Sequence, residues 1–167
     1  KEILEKIGNT LISYPAGFTV HPKLGKILEK RIEVLKSGDG IDWAFAEALA
    51  FGSLVVEGTS VRLSGQDCGR GTFSHRHLQL RDYKDGTVFL PLDLLTSERG
   101  AHFEVYNSPL SESGVMGFEF GYSATTQKTL VLWEGQFGDF ANGAQVIIDQ
   151  FLSGSEAKWN QLAGLVL

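Results

Sequence analysis

Apolar side chains at Leu24, Ile27, Leu28, Ile32 and Leu35 recur at three- and four-residue steps within a charged stretch from Lys1 to Lys36. That spacing predicts a helix with one apolar face, read here as a helical connection over residues 1–37. Ser37-Gly38-Asp39-Gly40 breaks it, and Asp42 is placed to cap a second helix. There Trp43, Phe45, Ala46, Leu49, Ala50 and Leu54 cover most of the circumference, which predicts deep burial. Gly58 ends this helix. Val61-Arg62-Leu63 then reads as a short strand that delivers the chain into the glycine-rich loop Gly65-Gln66-Asp67-Cys68-Gly69-Arg70-Gly71.

The same order repeats downstream. Phe103 to Tyr106 is a strand candidate, Ser111 to Tyr122 a helix candidate, Thr129 to Trp133 a strand and Phe140 to Phe151 a helix. Alternation at this spacing, with strands that are nearly all apolar, predicts an α/β domain over residues 38–167. Its sheet should be mostly parallel, with helices on both faces. Ligands of such sheets gather at the carboxyl ends of the strands. The loops to search are therefore the Gly65 loop, Asn107 to Glu112, and Glu134 to Phe140.

Composition narrows the function classes. With 167 residues, 43% hydrophobic and 21% charged, the chain is of a size and kind to bury a core of its own. A net charge of -5 argues against a nucleic-acid partner, which would call for a concentration of Lys and Arg. The single cysteine, Cys68, excludes an internal disulfide framework and fits a reducing compartment, cytoplasm or mitochondrial matrix. The longest apolar runs fall far short of the ~20 residues that cross a bilayer, so no membrane partner is expected. The chain starts without Met and stops on Leu165-Val166-Leu167, which is read as a C-terminally truncated piece of a longer protein.

Several stretches resemble one family closely. They are His21-Pro22-Lys23, Gly40-Ile41-Asp42-Trp43, Arg62-Leu63-Ser64-Gly65-Gln66-Asp67, the run from Arg70 through Phe73 to His75-Arg76-His77, and Trp133-Glu134-Gly135-Gln136-Phe137 onward to Gln145. From about His21 to the end the chain is similar to the thiamine-diphosphate-dependent E1 subunits of 2-oxoglutarate dehydrogenases. The resemblance implies a pyrimidine-binding domain of the transketolase type, one half of an active site shared between two subunits of a homodimer. The family pattern Leu-Ser-Glu before a helix falls on Leu110-Ser111-Glu112, so Glu112 takes the role of the glutamate that bonds the aminopyrimidine ring nitrogen. Phe137 is carried over as the aromatic against the pyrimidine, Phe140 as a second apolar wall, and Asp67 as a minor cofactor candidate. The resemblance also implies decarboxylation of 2-oxoglutarate in the tricarboxylic acid cycle and transfer of succinyl to a lipoyl-bearing E2 succinyltransferase. Magnesium and diphosphate would be held by a domain absent from this chain, which is expected to be inactive alone.

A glutamate in the first turn of a helix is favoured as an anion by the macrodipole, whereas the implied chemistry needs one that shares a proton. Glu112 is therefore expected to be desolvated at an inter-subunit contact. Gly38-Asp39-Gly40 imitates the magnesium motif of thiamine enzymes but lies between two helices, with Asn107 the first asparagine after it, and reads better as a turn and helix start. His75 and His77 would share a face if they lay in a strand, yet two histidines without a third clear ligand make a weak metal pattern, and none is assigned. Arg70, His75 or Arg76 could instead attract the distal carboxylate of the substrate. Cys68 reads as inert. Two alternatives stay open: another thiamine-dependent 2-oxo acid dehydrogenase or transketolase-like enzyme, or a non-catalytic assembly module of the same fold.

Overall fold

The computed structural model describes residues 1–95, 100–126 and 128–167. The first 37 residues form two helices rather than one, α1 (Glu2–Leu11) and α2 (Pro22–Ser37). Between them lie Pro15, which cannot continue a helical ladder, and Gly17 at φ 84°. His21 caps α2, its Nδ1 accepting from the Lys23 N–H at 3.2 Å, and Gly38 ends it in the left-handed conformation. These helices pack onto the rest of the fold, with Ile7, Leu11 and Leu28 buried.

Asp42 caps α3 (Trp43–Glu57) as expected, with Oδ1 accepting from the Phe45 N–H at 2.7 Å, and Gly58 terminates it. Its burial is one-sided rather than all round. Ala44, Phe45, Ala48, Leu49, Phe51, Gly52 and Val55 are buried, while Ala50 is exposed and Trp43 is 92% exposed. The helix lies between the sheet and α1, so the remaining arc meets solvent. At Gly52 the two helices come so close that a Cβ would reach within 2.6 Å of the Ile7 side chain.

β1 (Ser60–Gly65) is the central strand. A small antiparallel hairpin, β2 (Leu80–Arg81) and β3 (Val88–Phe89), stands apart, followed by a 3-10 turn over Pro91–Leu95. β4 (Phe103–Asn107), α4 (Glu112–Thr125) and β5 (Thr129–Glu134) come next, and β6 is Leu165–Val166. The main sheet has the order β4-β1-β5-β6 and all of its pairings are parallel. Helices cover both of its faces: α1 and α3 share a core with Val61, Leu63, Phe103 and Val105, while Met116 of α4 packs with Trp133 and Ala144 on the other side.

The strands are not uniformly apolar. Arg62 and Glu104 occupy the α4 face and bond each other at 2.8 Å. The single helix expected over Phe140 to Phe151 is also replaced. The chain runs through a 3-10 segment (Gly138–Ala144), a short helix α5 (Gln145–Ile147) and a π-helical turn (Ile148–Leu152) before α6 (Ser155–Trp159). Glycines at 138 and 143 weaken regular helix here.

From the centre of the sheet the chain moves to β4 on one side and then to β5 on the other. The connections after β1 and β5 therefore diverge, which opens a crevice at their carboxyl ends. The register sets Gly65 level with both Asn107 and Glu134. All three loops singled out in the sequence consequently leave the sheet at one height.

Candidate functional site

The crevice is a narrow recess whose walls come from those three loops, with Gln66 from the first, Ser108 and Glu112 from the second, and Glu134, Gln136 and Phe140 from the third. Glu112 is the first residue of α4 and is half-buried. Its Oε1 accepts a hydrogen bond from the Gln66 amide at 3.0 Å. Gly143 passes against its other oxygen, since a Cβ there would lie 3.3 Å from Oε2. Ser113 fastens that contact by donating its hydroxyl to the Gly143 carbonyl. The irregular segment in place of the expected last helix thus seats the backbone beside the carboxyl.

An aromatic wall adjoins the carboxylate. Phe137 lies edge-on to Phe140, with centroids 5.6 Å apart, and at right angles to Phe73, 6.2 Å away. Phe73 continues the row to His75. Within this chain Phe137 is 48% and Phe73 75% exposed, so flat apolar surface stands uncovered next to Phe140, which lines the recess with Glu112.

The remaining candidates fall into two groups. Asp67 is exposed and adopts a positive φ of 55°. Its carboxylate accepts from the Gln136 amide at 2.9 Å and pairs with Arg70 at 3.2 Å. It ties the β1 loop to the residue before Phe137. Arg70 and His75 are exposed at the same edge. Arg76 is not at the surface. It is 4% exposed, donates to both oxygens of Glu134 at 2.6 Å, to Glu47, and to the Cys68 carbonyl at 2.8 Å. Burial alone would weaken its hold on its proton, but the bonds to Glu134 and Glu47 outweigh that and hold it fully protonated. Its charge is therefore already matched inside the fold.

His75, Arg76 and His77 lie in a loop rather than a strand, so the two imidazoles do not share a pleated face. The His77 ring instead meets the Ser74 carbonyl at 2.7 Å. Burial lowers its affinity for a second proton, the Ser74 carbonyl partly restores it, and the charges of Arg31 and Arg70 lower it again. From α2, Arg31 reaches across to donate to the carbonyls of His75 and Arg76. Cys68 is buried, with its thiol against the Tyr106 carbonyl, and burial together with the Glu134 charge pushes its pKa up to about 12. A thiol so held is no nucleophile at neutral pH. Among the described residues, no group of three or more His, Cys, Asp and Glu is placed to hold a metal ion.

Gln66, Gln136, Phe73, Gly143 and Arg31 were not singled out by sequence reasoning. The signal available for Gln66 was its position immediately after the strand, where the side chain points over the carboxyl edge of the sheet. The amides and the glycine carry no charge or metal-binding atom that would have marked them.

A half-buried carboxylate with a single described side-chain partner, beside an aromatic face, suits a flat heterocycle that has a ring nitrogen for the carboxyl and faces for the phenyl rings. The arrangement is that of a parallel α/β domain with a recess at the topological switch point of its sheet. Comparison places it further: a family profile described as "Transketolase, pyrimidine binding domain" matches residues 39–167, and the chain belongs to that family. It is 56% identical over 98% of its length to "2-oxoglutarate dehydrogenase, mitochondrial" of Saccharomyces cerevisiae, covering 16% of that protein. It is also 56% identical over its whole length to the "2-oxoglutarate dehydrogenase E1 component" of Rickettsia felis, covering 17% of it. A "Multifunctional 2-oxoglutarate metabolism enzyme" of a Mycobacterium species is 52% identical, with 14% of it covered. The chain thus spans about one sixth of the length of the curated relatives it matches.

Proposed function

We propose that this chain is the aminopyrimidine-binding half of the active site of a thiamine-diphosphate-dependent 2-oxoglutarate dehydrogenase E1. The observation that carries the reading is Glu112, set in the recess with one amide on Oε1 and with Phe140, edge-on to the exposed Phe137, lining the same recess. Bound thiamine diphosphate supplies the carbon nucleophile and electron sink for decarboxylating a 2-oxo acid. The chain's own residues bind and protonate. Glu112 holds and returns a proton at the ring nitrogen, Phe137 and Phe140 offer the apolar wall, and Asp67, through Gln136, fixes the loop that carries Phe137.

On this reading the other half of the site, with magnesium and the diphosphate, belongs to a domain outside this chain, and the isolated chain is inactive. Residues 1–37 serve as the helical connection docked on domain 38–167. A homodimer covers Glu112 at the subunit contact and gives it the desolvation that opposes the helix dipole. The succinyl group passes to a lipoyl-bearing E2, within the tricarboxylic acid cycle, in bacterial cytoplasm or the mitochondrial matrix. Among the described residues no helix is long and apolar enough to cross a membrane. On this reading Arg70 or His75, both exposed, attracts the distal carboxylate of 2-oxoglutarate, while Arg76 contributes by holding the loop that bears His75.

The test is 2-oxo-acid-dependent dye reduction by the full-length protein with thiamine diphosphate and magnesium, as wild type and as Glu112→Ala, using 2-oxoglutarate and pyruvate in turn. Activity on 2-oxoglutarate is expected to fall at least about 100-fold in the variant. Equal activity in the two proteins would overturn the role of Glu112. Activity on pyruvate alone would move the assignment to another 2-oxo acid dehydrogenase, and none on either acid to an assembly module.

A further inference from the structure

The two oxygens of Glu112 are held differently. Oε1 takes a directional hydrogen bond from the Gln66 amide, whereas Oε2 has the Gly143 backbone beside it and no described side-chain donor. The cap residue Ser111 makes no side-chain bond to the helix end. Gln66 is therefore the described side chain that selects the orientation of the carboxyl. An ionised carboxylate only accepts, so the amide must present its nitrogen and not its oxygen, and the bond has one sense.

The backbone that delivers Gln66 is itself fixed. Gly65 stands at φ 152°, with Glu134 O so close that there is no room for a Cβ, and its carbonyl accepts from the Ser108 N–H at 2.9 Å. Charge at position 66 would defeat the purpose. A cation would lock Glu112 as an ion pair and an anion would repel it, whereas an amide orients the carboxyl and leaves its proton exchangeable. The other ionisable side chain lining the recess is Glu134, engaged by Arg76; further along α4, Glu119 is engaged by Arg62.

We infer that Gln66 is a positioning residue for the proposed reaction: its side-chain amide holds the Glu112 carboxyl in one orientation at the recess while leaving the second oxygen free for a bound ring. This inference rests on the reading of Glu112 as the proton-exchanging group.

The experiment uses the full-length protein as Gln66→Met, Gln66→Glu, Glu112→Gln and the double variant Gln66→Met/Glu112→Gln. It measures kcat against pH, the dissociation constant for thiamine diphosphate with magnesium by fluorescence quenching, and the thermal midpoint. Gln66→Met keeps the length of the side chain and should leave the midpoint within about 2 °C. It should lower kcat and weaken cofactor binding about 10-fold each, the scale of one hydrogen bond to a charged group. In the Glu112→Gln background the same change should alter affinity by no more than about two-fold, because Gln66 acts through Glu112. Gln66→Glu should show a deficit that grows with pH, since the introduced carboxyl donates when protonated and repels when ionised.

Wild-type kcat and affinity in both Gln66 variants across pH would overturn the inference. So would a loss of equal size in the Glu112→Gln background, which would mark Gln66 as a loop-packing residue. Wild-type behaviour of Glu112→Gln alone would sink the reading of Glu112, and the inference with it. A collapse there with normal Gln66 variants would sink the inference alone.

Discussion

The two faces of the sheet are built on different physics. On the α1 and α3 side, Ile7, Phe45, Val55, Val61, Leu63 and Phe103 form a dry cluster with almost no exposed surface. On the α4 side, the apolar cluster is small, and much of the contact runs through Arg62. Its guanidinium donates to both oxygens of Glu119 at 2.8 and 3.0 Å and to Glu104 at 2.8 Å, and lies 4.5 Å from the centroids of Tyr106 and Tyr122. Tyr106 and Phe118 stand exposed against it. The first face secures the fold through area removed from water. The second seats the helix carrying Glu112 on directional, charge-assisted bonds, which specify an orientation that apolar contact leaves adjustable.

The largest effect that would sharpen this contrast is a matched pair of truncations. Phe103→Ala removes a fully buried ring from the first face and is expected to cost about 4 kcal/mol in urea unfolding of the 1–167 chain. Phe118→Ala trims a ring that is 61% exposed on the second and should change stability by less than about 0.5 kcal/mol. Similar costs for both would erase the distinction. Next, Glu119→Ala strands Arg62 without its bidentate partner at a site only 2% exposed, for about 3 kcal/mol. Replacing the pair as Arg62→Met/Glu119→Leu should recover most of that stability. In the full-length protein the double variant should nonetheless fall short in activity, because α4 loses its fixed orientation. Full recovery of both would show that packing alone positions Glu112.

The same contrast explains what could be read beforehand. Strands β1, β4 and β5, the Asp42 cap and the Gly58 stop are local signals, and each lies within a residue or two of its expected place. Asymmetric burial was not local: nothing in the periodicity of α3 says that Trp43 lies on the arc that neither sheet nor α1 covers. The segment after Phe137 reads as helix by pattern, yet Gly143 is committed to a close approach to Glu112 from 31 residues away. Glu112 and Phe137 were named as candidates through resemblance and through their place in the loops that follow strands. Gln66 was not, since its partner lies 46 residues along the chain and only the register of β1 against β4 brings the two together.

A smaller effect probes the loop that joins the faces at the carboxyl edge. Arg76 bridges Glu47 of α3, on the first face, to Glu134 at the end of β5. Arg76→Met leaves two carboxylates facing one another, but both keep access to water, so the expected cost is about 2 kcal/mol in the same unfolding measurement. A cost below about 0.5 kcal/mol would mean that the bridge is not held in solution.

The smallest effect is a pH slope from His77. Its folded-state proton affinity lies below the ordinary value of 6.5, mainly through burial, so the unfolded chain binds more protons in the window just beneath that value. Stability contributed by the neutral ring is complete above about pH 6.5 and is lost as pH falls through 6.5 toward the depressed folded value. The informative quantity is the difference between the wild type and a variant that lacks the ring. Between pH 7.5 and 5.5 the wild-type chain should lose more stability than His77→Gln, measured by urea unfolding at each pH. Parallel slopes would place the His77 ring in water. The loop between Arg70 and His77 would then be open at the edge where the two faces meet, and the anchoring of its carbonyls by Arg31 would not persist in solution.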